Sequence, residues 1–195
     1  MKKLLLIMLI GVLSSGCQII DRGPLWQTES NIDDELLPYY EAFLDEREKL
    51  GFVEELPHIN IIFGELAEYP LARGACNVQG RADNTSIHIT SRTVIIKRND
   101  YENVMKQDGE GYHKGIEMLM FHELAHCFWR VKHFDKEYPR TVKIAEDVYE
   151  EVICRDLMHH TSSSYKGTKD YLCYTQHFDL YQEQLRAIMS NKIIR

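Results

Sequence analysis

No internal repeat and no low-complexity tract appears in the 195 residues, which excludes repeat architectures and an extensively disordered chain. Positive charge is not in excess: the formal net charge is −7, and −9 once Lys2 and Lys3 are removed. A mildly acidic surface argues against nucleic acid as a partner. Long apolar runs are missing beyond the first residues, and the run there, Leu4 to Leu13, is too short for a transmembrane span. Glycine is absent between Gly115 and Gly167, so that stretch has no residue free to turn left-handed at no steric cost.

What is present at the N terminus is a leader. Two lysines, an apolar core and small residues before Cys17 follow the pattern of a secretory signal peptide. "LSSGC", residues 13–17, resembles the lipobox of bacterial lipoproteins, which implies that Cys17 receives a lipid and becomes the new N terminus. Residues 1–16 are then the signal peptide, 17–32 a polar tether and 33–195 one domain, long enough for a well-buried core. Acyl chains on Cys17, rather than a basic patch, would bring the protein to a membrane. Gln18 after the cysteine implies, by likeness to lipoprotein sorting, an outer-membrane or periplasmic location if the source is Gram-negative.

Export permits disulfides. Cys76, Cys127, Cys154 and Cys173 allow three pairings, and the sequence selects none of them. Cys127 also falls in an apolar helical stripe, where a buried free thiol fits equally well.

The hydrophobic pattern predicts a helix from about Asp33 to Leu50, stopped by Gly51. "HINIIFGEL", residues 58–66, alternates as a strand, and "SIHITSRTVII", residues 86–96, is a second, dense in β-branched residues. Between them lies a segment rich in turn residues, and residues 97–115 read as a polar connection. A long helix follows from about His113. A further helix is expected over residues 140–153, a loop over 154–167 and a last helix over 175–191. This order describes an α+β domain with a small mixed sheet.

The long helix contains "FHELAHCFWRVKH", residues 121–133. His122 and His126 are four apart, so they project from one helix face a turn apart and can reach one tetrahedral metal. Glu123, next to the first ligand, can take a proton from a water on that metal. This is the His-Glu-x-x-His arrangement of zinc hydrolases, mainly peptidases. Ile116, Leu119, Met120, Leu124, Cys127 and Phe128 would face the core, leaving Met118, His122, Ala125 and Trp129 for a cleft. A catalytic zinc has three protein ligands and one open position. Two residues compete for the third. His133 lies seven residues past His126, about 10 Å along a continuing helix, so it reaches the metal only if the helix ends and the chain folds back. Glu146, on the next expected helix, is the alternative, although "AEDVYEE" also reads as a solvated acidic face.

The same residues resemble a family of bacterial metallopeptidases related to the metzincins, with the motif H-E-L-G-H-C-x-x-[GN]-R-x-H. The match is drawn through His122, Glu123, Leu124, His126, Cys127, Arg130 and His133, which sets Trp129 at the position of the family's Gly or Asn. Weaker likenesses, including "DLMHHTS" to a Met-turn, extend it over about residues 36–185. The resemblance implies a metzincin-like zincin fold with a long zinc-binding helix, Zn2+ as cofactor and His133 as third ligand. It implies Met158 as the Met-turn residue beneath the zinc histidines. It also implies a role for His160, at the place of a metzincin tyrosine, in donating a hydrogen bond to the oxyanion. Trp129 and the long link from His133 to Met158 depart from the family pattern and speak for Glu146.

Two functions follow as expectations. One is a lipid-anchored zinc metallopeptidase that hydrolyses a peptide or protein substrate with Glu123 as general base, "SIHITSRTV" serving by analogy as the sheet edge that pairs with it. The other is a non-catalytic envelope lipoprotein, a binding or assembly module with a vestigial or structural metal site. His88, His113, His159 and His177 read as structural or surface histidines.

Overall fold

The computed structural model describes residues 30–69, 71–82, 87–106, 110–159 and 170–190. The leader, Cys17 and His160 lie outside them. Among the described residues the architecture is α+β: a three-stranded sheet, a two-stranded hairpin and five helices.

Helix α1 (Leu37–Lys49) has Pro38 in its first turn, where no amide donor is needed, and ends before Gly51, which takes φ 87°. Its Tyr39 and Phe43 are buried. Strand β1 (Asn60–Phe63) pairs in parallel with β3 (Ile87–Ile96), which is central, and β2 (Gly74–Ala82) pairs antiparallel on the other side of β3. The strand beside the later site is therefore β2, in the segment expected to be turns. The strand expected as the edge, β3, is central in the order β1-β3-β2, although of "SIHITSRTV" only Thr93 and Val94 also pair with β1. Residues assigned to the tether also join the domain: Asn31 accepts the Ile61 amide at 2.8 Å, and Ile32 bridges Ile61. Part of the expected polar connection forms helix α2 (Arg98–Met105), which buries only Tyr101 and Val104.

Helix α3 (Glu110–Trp129) packs against α1, α2, α4, α5, β2 and β3. It is buried on nearly every side, Met118, Phe121 and Ala125 included, as a helix apolar all round must be. The expected division into a core face and a cleft face does not hold for it.

Residues 140–153 are not a helix. They belong to an antiparallel hairpin, β4 (Glu137–Ala145) and β5 (Val148–Arg155), turned at Glu146 and Asp147, the latter at φ 54°. Val142, Val152 and Cys154 point inward and Thr141, Lys143, Tyr149 and Ile153 outward, a two-residue period in a stretch dense with β-branched side chains. Helices α4 (Asp170–Gln176) and α5 (Phe178–Met189) are the last two among the described residues. Two disulfides fasten the elements: Cys76–Cys127 joins β2 to α3, and Cys154–Cys173 joins β5 to α4. Cys127 is thus not a free thiol.

Candidate metal centre

The end of α3 decides the geometry. The Arg130 amide still donates to the His126 carbonyl at 3.0 Å, but Arg130 itself takes φ 55°, the left-handed conformation, and the chain turns back. Three residues later His133 meets the helix. The three Nε2 atoms of His122, His126 and His133 stand 3.1, 3.1 and 3.2 Å apart. Nitrogens at zinc-like bond lengths on a tetrahedral ion are about 3.3 Å apart, so the spacing fits one ion.

Tautomers support the fit. His122 Nδ1 lies 2.7 Å from the Leu157 carbonyl and His126 Nδ1 lies 2.5 Å from the Val131 carbonyl. A carbonyl only accepts, so both Nδ1 atoms carry the proton and both Nε2 atoms present lone pairs. Lone pairs converging on one point repel unless a cation lies between them. Burial, then the neighbouring His126, pushes the His122 imidazole down to about 3, against the Leu157 carbonyl, and burial also lowers His126. Both rings stay neutral at physiological pH, the form that ligates. His122, His126 and His133 can together hold a metal ion.

The position that turns left-handed is Arg130, not Trp129. Counted residue by residue, the twelve-residue motif aligns Arg130 with the family's Gly or Asn and Val131 with its Arg, so the assignment of Trp129 was one position early. Trp129 completes the helix and packs near Phe43, ring centroids 6.2 Å apart. Glu146 sits exposed in the hairpin turn, outside the histidine group.

Glu123 is 5 % exposed and turned toward β2. The Cys76 amide donates to its carboxylate, and Gly74 lies against its side chain. Burial pushes this carboxyl up to about 8, the Cys76 amide opposing.

Met158 is fully buried in the turn after β5. That turn is held from three sides. Asp156 Oδ1 accepts the Met158 amide at 2.9 Å, Gln184 Oε1 of α5 accepts the Leu157 amide at 2.8 Å, and the Met158 carbonyl accepts the Phe134 amide at 3.0 Å. The Leu157 carbonyl is thereby aimed at His122. Such outer partners fix ring orientation in metal sites. Sequence reasoning missed Leu157, Val131, Gln184, Gly74 and Cys76, because four of them act through the backbone and Gln184 lies 27 residues from its partner.

The other histidines have local partners: His113 with the Tyr39 hydroxyl, His177 with the Thr141 carbonyl, and buried His159 beside Asp135 and Glu137 at 3.9 Å. A cleft of about 760 Å³ opens onto His122, Glu123, His126 and His133 between β2 and the segment after α3. A smaller cavity of about 360 Å³ lies between α1, α3 and α4, where Glu117 is engaged by Lys114 at 2.8 Å and Tyr174 at 3.1 Å. No protein-family model, curated protein or solved structure matches the chain.

Proposed function

We propose that the protein is a zinc-dependent metallopeptidase of metzincin-like fold. The observation that carries this reading is the convergence of three imidazole Nε2 atoms within 3.2 Å of one another, beside a buried glutamate on the same helix and at the floor of a cleft. Three nitrogen ligands suit zinc and leave a fourth position for water or substrate. The resemblance of residues 122–133, and of the Met158 turn, to the metzincin-like family supports the same reading.

When bound, zinc supplies a Lewis acid and a water of lowered pKa. The chain supplies the rest. Burial holds the Glu123 carboxyl at about 8, and its ionised form is favoured beside a cation; as the carboxylate, fixed by the Cys76 amide, it would accept the proton of the attacking water and pass it to the leaving nitrogen. The Leu157 and Val131 carbonyls keep two imidazoles in the ligating tautomer. His160 would donate to the oxyanion. The leader and Cys17 support a lipid-anchored, exported form; among the described residues no helix is long and apolar enough to cross a membrane.

The purified protein should hold a stoichiometric amount of zinc, and a chelator should abolish peptide hydrolysis reversibly. Glu123→Gln should keep the metal and lose hydrolysis. Absence of zinc with all three histidines intact, or full activity in Glu123→Gln, would end this reading. A structural zinc site requires a fourth protein ligand, whereas the group among the described residues has three.

A further inference from the structure

Two large apolar side chains stand uncovered at the cleft. Leu71 is 96 % exposed, more than any other large apolar side chain among the described residues, and Tyr69 is 60 % exposed. Scattered singly, such side chains are ordinary on a protein surface; here both line the cleft of about 760 Å³ that holds the histidines. Ala72, Ala75, Val78 and Val131 continue its apolar lining. The fold gains almost nothing from a leucine left in water, so contact energy is available only to something that covers it.

The segment that carries the pair is fixed at both ends. The Tyr69 amide donates to the carbonyl of buried Leu66 at 3.0 Å, and the Ala72 amide donates to the Tyr69 carbonyl at 3.0 Å. The Arg73 carbonyl accepts the Lys97 amide at 2.9 Å. A rim held in this way loses little freedom when a ligand packs on it. It is also close to the reacting position. Leu71 lies three residues before Gly74, which touches Glu123. That is at most about 10 Å of chain, a distance an extended peptide covers in about three residues. Glu65 and Glu68, exposed in the same segment, oppose an anionic lipid surface as the cover.

We propose that the cleft selects peptides with a large apolar side chain, such as Leu, Phe or Met, within about three residues of the bond cut, packed against Leu71 and Tyr69. This rests on the metallopeptidase reading above.

The test uses the zinc-loaded mature protein and matched fluorogenic peptides whose flanking residues are Leu and Phe, Ala, Asp and Glu, or Lys. The Leu and Phe set should be cleaved with kcat/KM about tenfold above the Ala set, mainly through KM. Sodium chloride should leave that ratio in place, because apolar contact is not screened. Leu71→Ser and Tyr69→Ser should each reduce the ratio; both side chains are exposed, so neither substitution touches the core. Val53→Ser, at an apolar side chain 76 % exposed and outside the cleft, should leave it unchanged. Equal cleavage of the four sets, preference for the acidic or the lysine set, or an undiminished ratio when Leu71 and Tyr69 are both serine overturns the inference and leaves the peptidase reading standing. No cleavage of any set by the zinc-loaded protein overturns that reading, and the inference with it.

Discussion

Gly74 and Glu123 are in such close contact that a Cβ at position 74 would stand 2.9 Å from both Cγ and Oε1 of the glutamate, so any side chain there forces one of the two to shift. Strand and carboxylate are positioned by each other. Gly74→Ala should displace one of them, lowering hydrolysis by an order of magnitude or more while zinc stays bound, and costing about 1–3 kcal/mol of stability. Activity and metal content measured on the same preparation check this; an unchanged rate would show that the carboxylate is not held by the strand.

Gln184 is expected to matter to the metal without touching it. Its Oε1 accepts the Leu157 amide, whose carbonyl faces His122. Gln184→Leu should strand that buried amide at a cost of about 1–3 kcal/mol and weaken zinc binding about 10- to 100-fold. Competition with a chromophoric chelator reads the affinity. Gln184→Glu, which restores the acceptor, should recover most of it, and equal affinity in all three proteins would remove Gln184 from the site.

The two disulfides should differ in worth. Cys76–Cys127 closes a loop of sequence separation 51 and Cys154–Cys173 one of 19. Loop-closure entropy predicts losses of about 4 and about 3 kcal/mol when each is replaced by a serine pair. Urea unfolding should rank them in that order. Only the first replacement should also impair catalysis, because it frees β2 from the helix that carries Glu123.

Asp156 supplies a pH signature. Burial holds its carboxyl above the usual carboxylate range, with the Met158 amide as the largest opposing influence. A folded-state pKa above the unfolded one favours the protonated form, so the contribution is fully present below the unfolded pKa, about 3.9, and is lost as pH rises through the folded value. Relative to Asp156→Asn, the unmodified protein should therefore gain stability as pH falls from neutrality toward the carboxylate range. Urea midpoints of both proteins with chelator present, so that metal loss does not enter, check this. Parallel curves would refute it.

Several elements were legible because their signal is local. The His122–His126 pair on α3 follows from spacing alone, and α5 from the helical spacing of Phe178, Tyr181, Leu185, Ile188 and Met189. Strand β2 was not legible: "GACNVQGRA" has weak strand propensity and is held by pairing to β3 and by a disulfide 51 residues long. The β4–β5 hairpin was misread as a helix, although Val152 and Cys154 inward against Tyr149 and Ile153 outward mark a two-residue period. The rivalry between His133 and Glu146 hung on that misreading and on where α3 stops. One backbone conformation, at Arg130, ends the helix, and an arginine gives no propensity signal for it.

The bond between Gln184 and Leu157 has a consequence for the order in which the molecule is made. A nascent chain owns all three imidazoles as soon as residue 133 has been synthesised, but the glutamine that locks the carbonyl behind His122 follows 51 residues later. Vectorial synthesis therefore yields an interval in which the ligands exist without their scaffold, and the site acquires its final shape only when α5 docks.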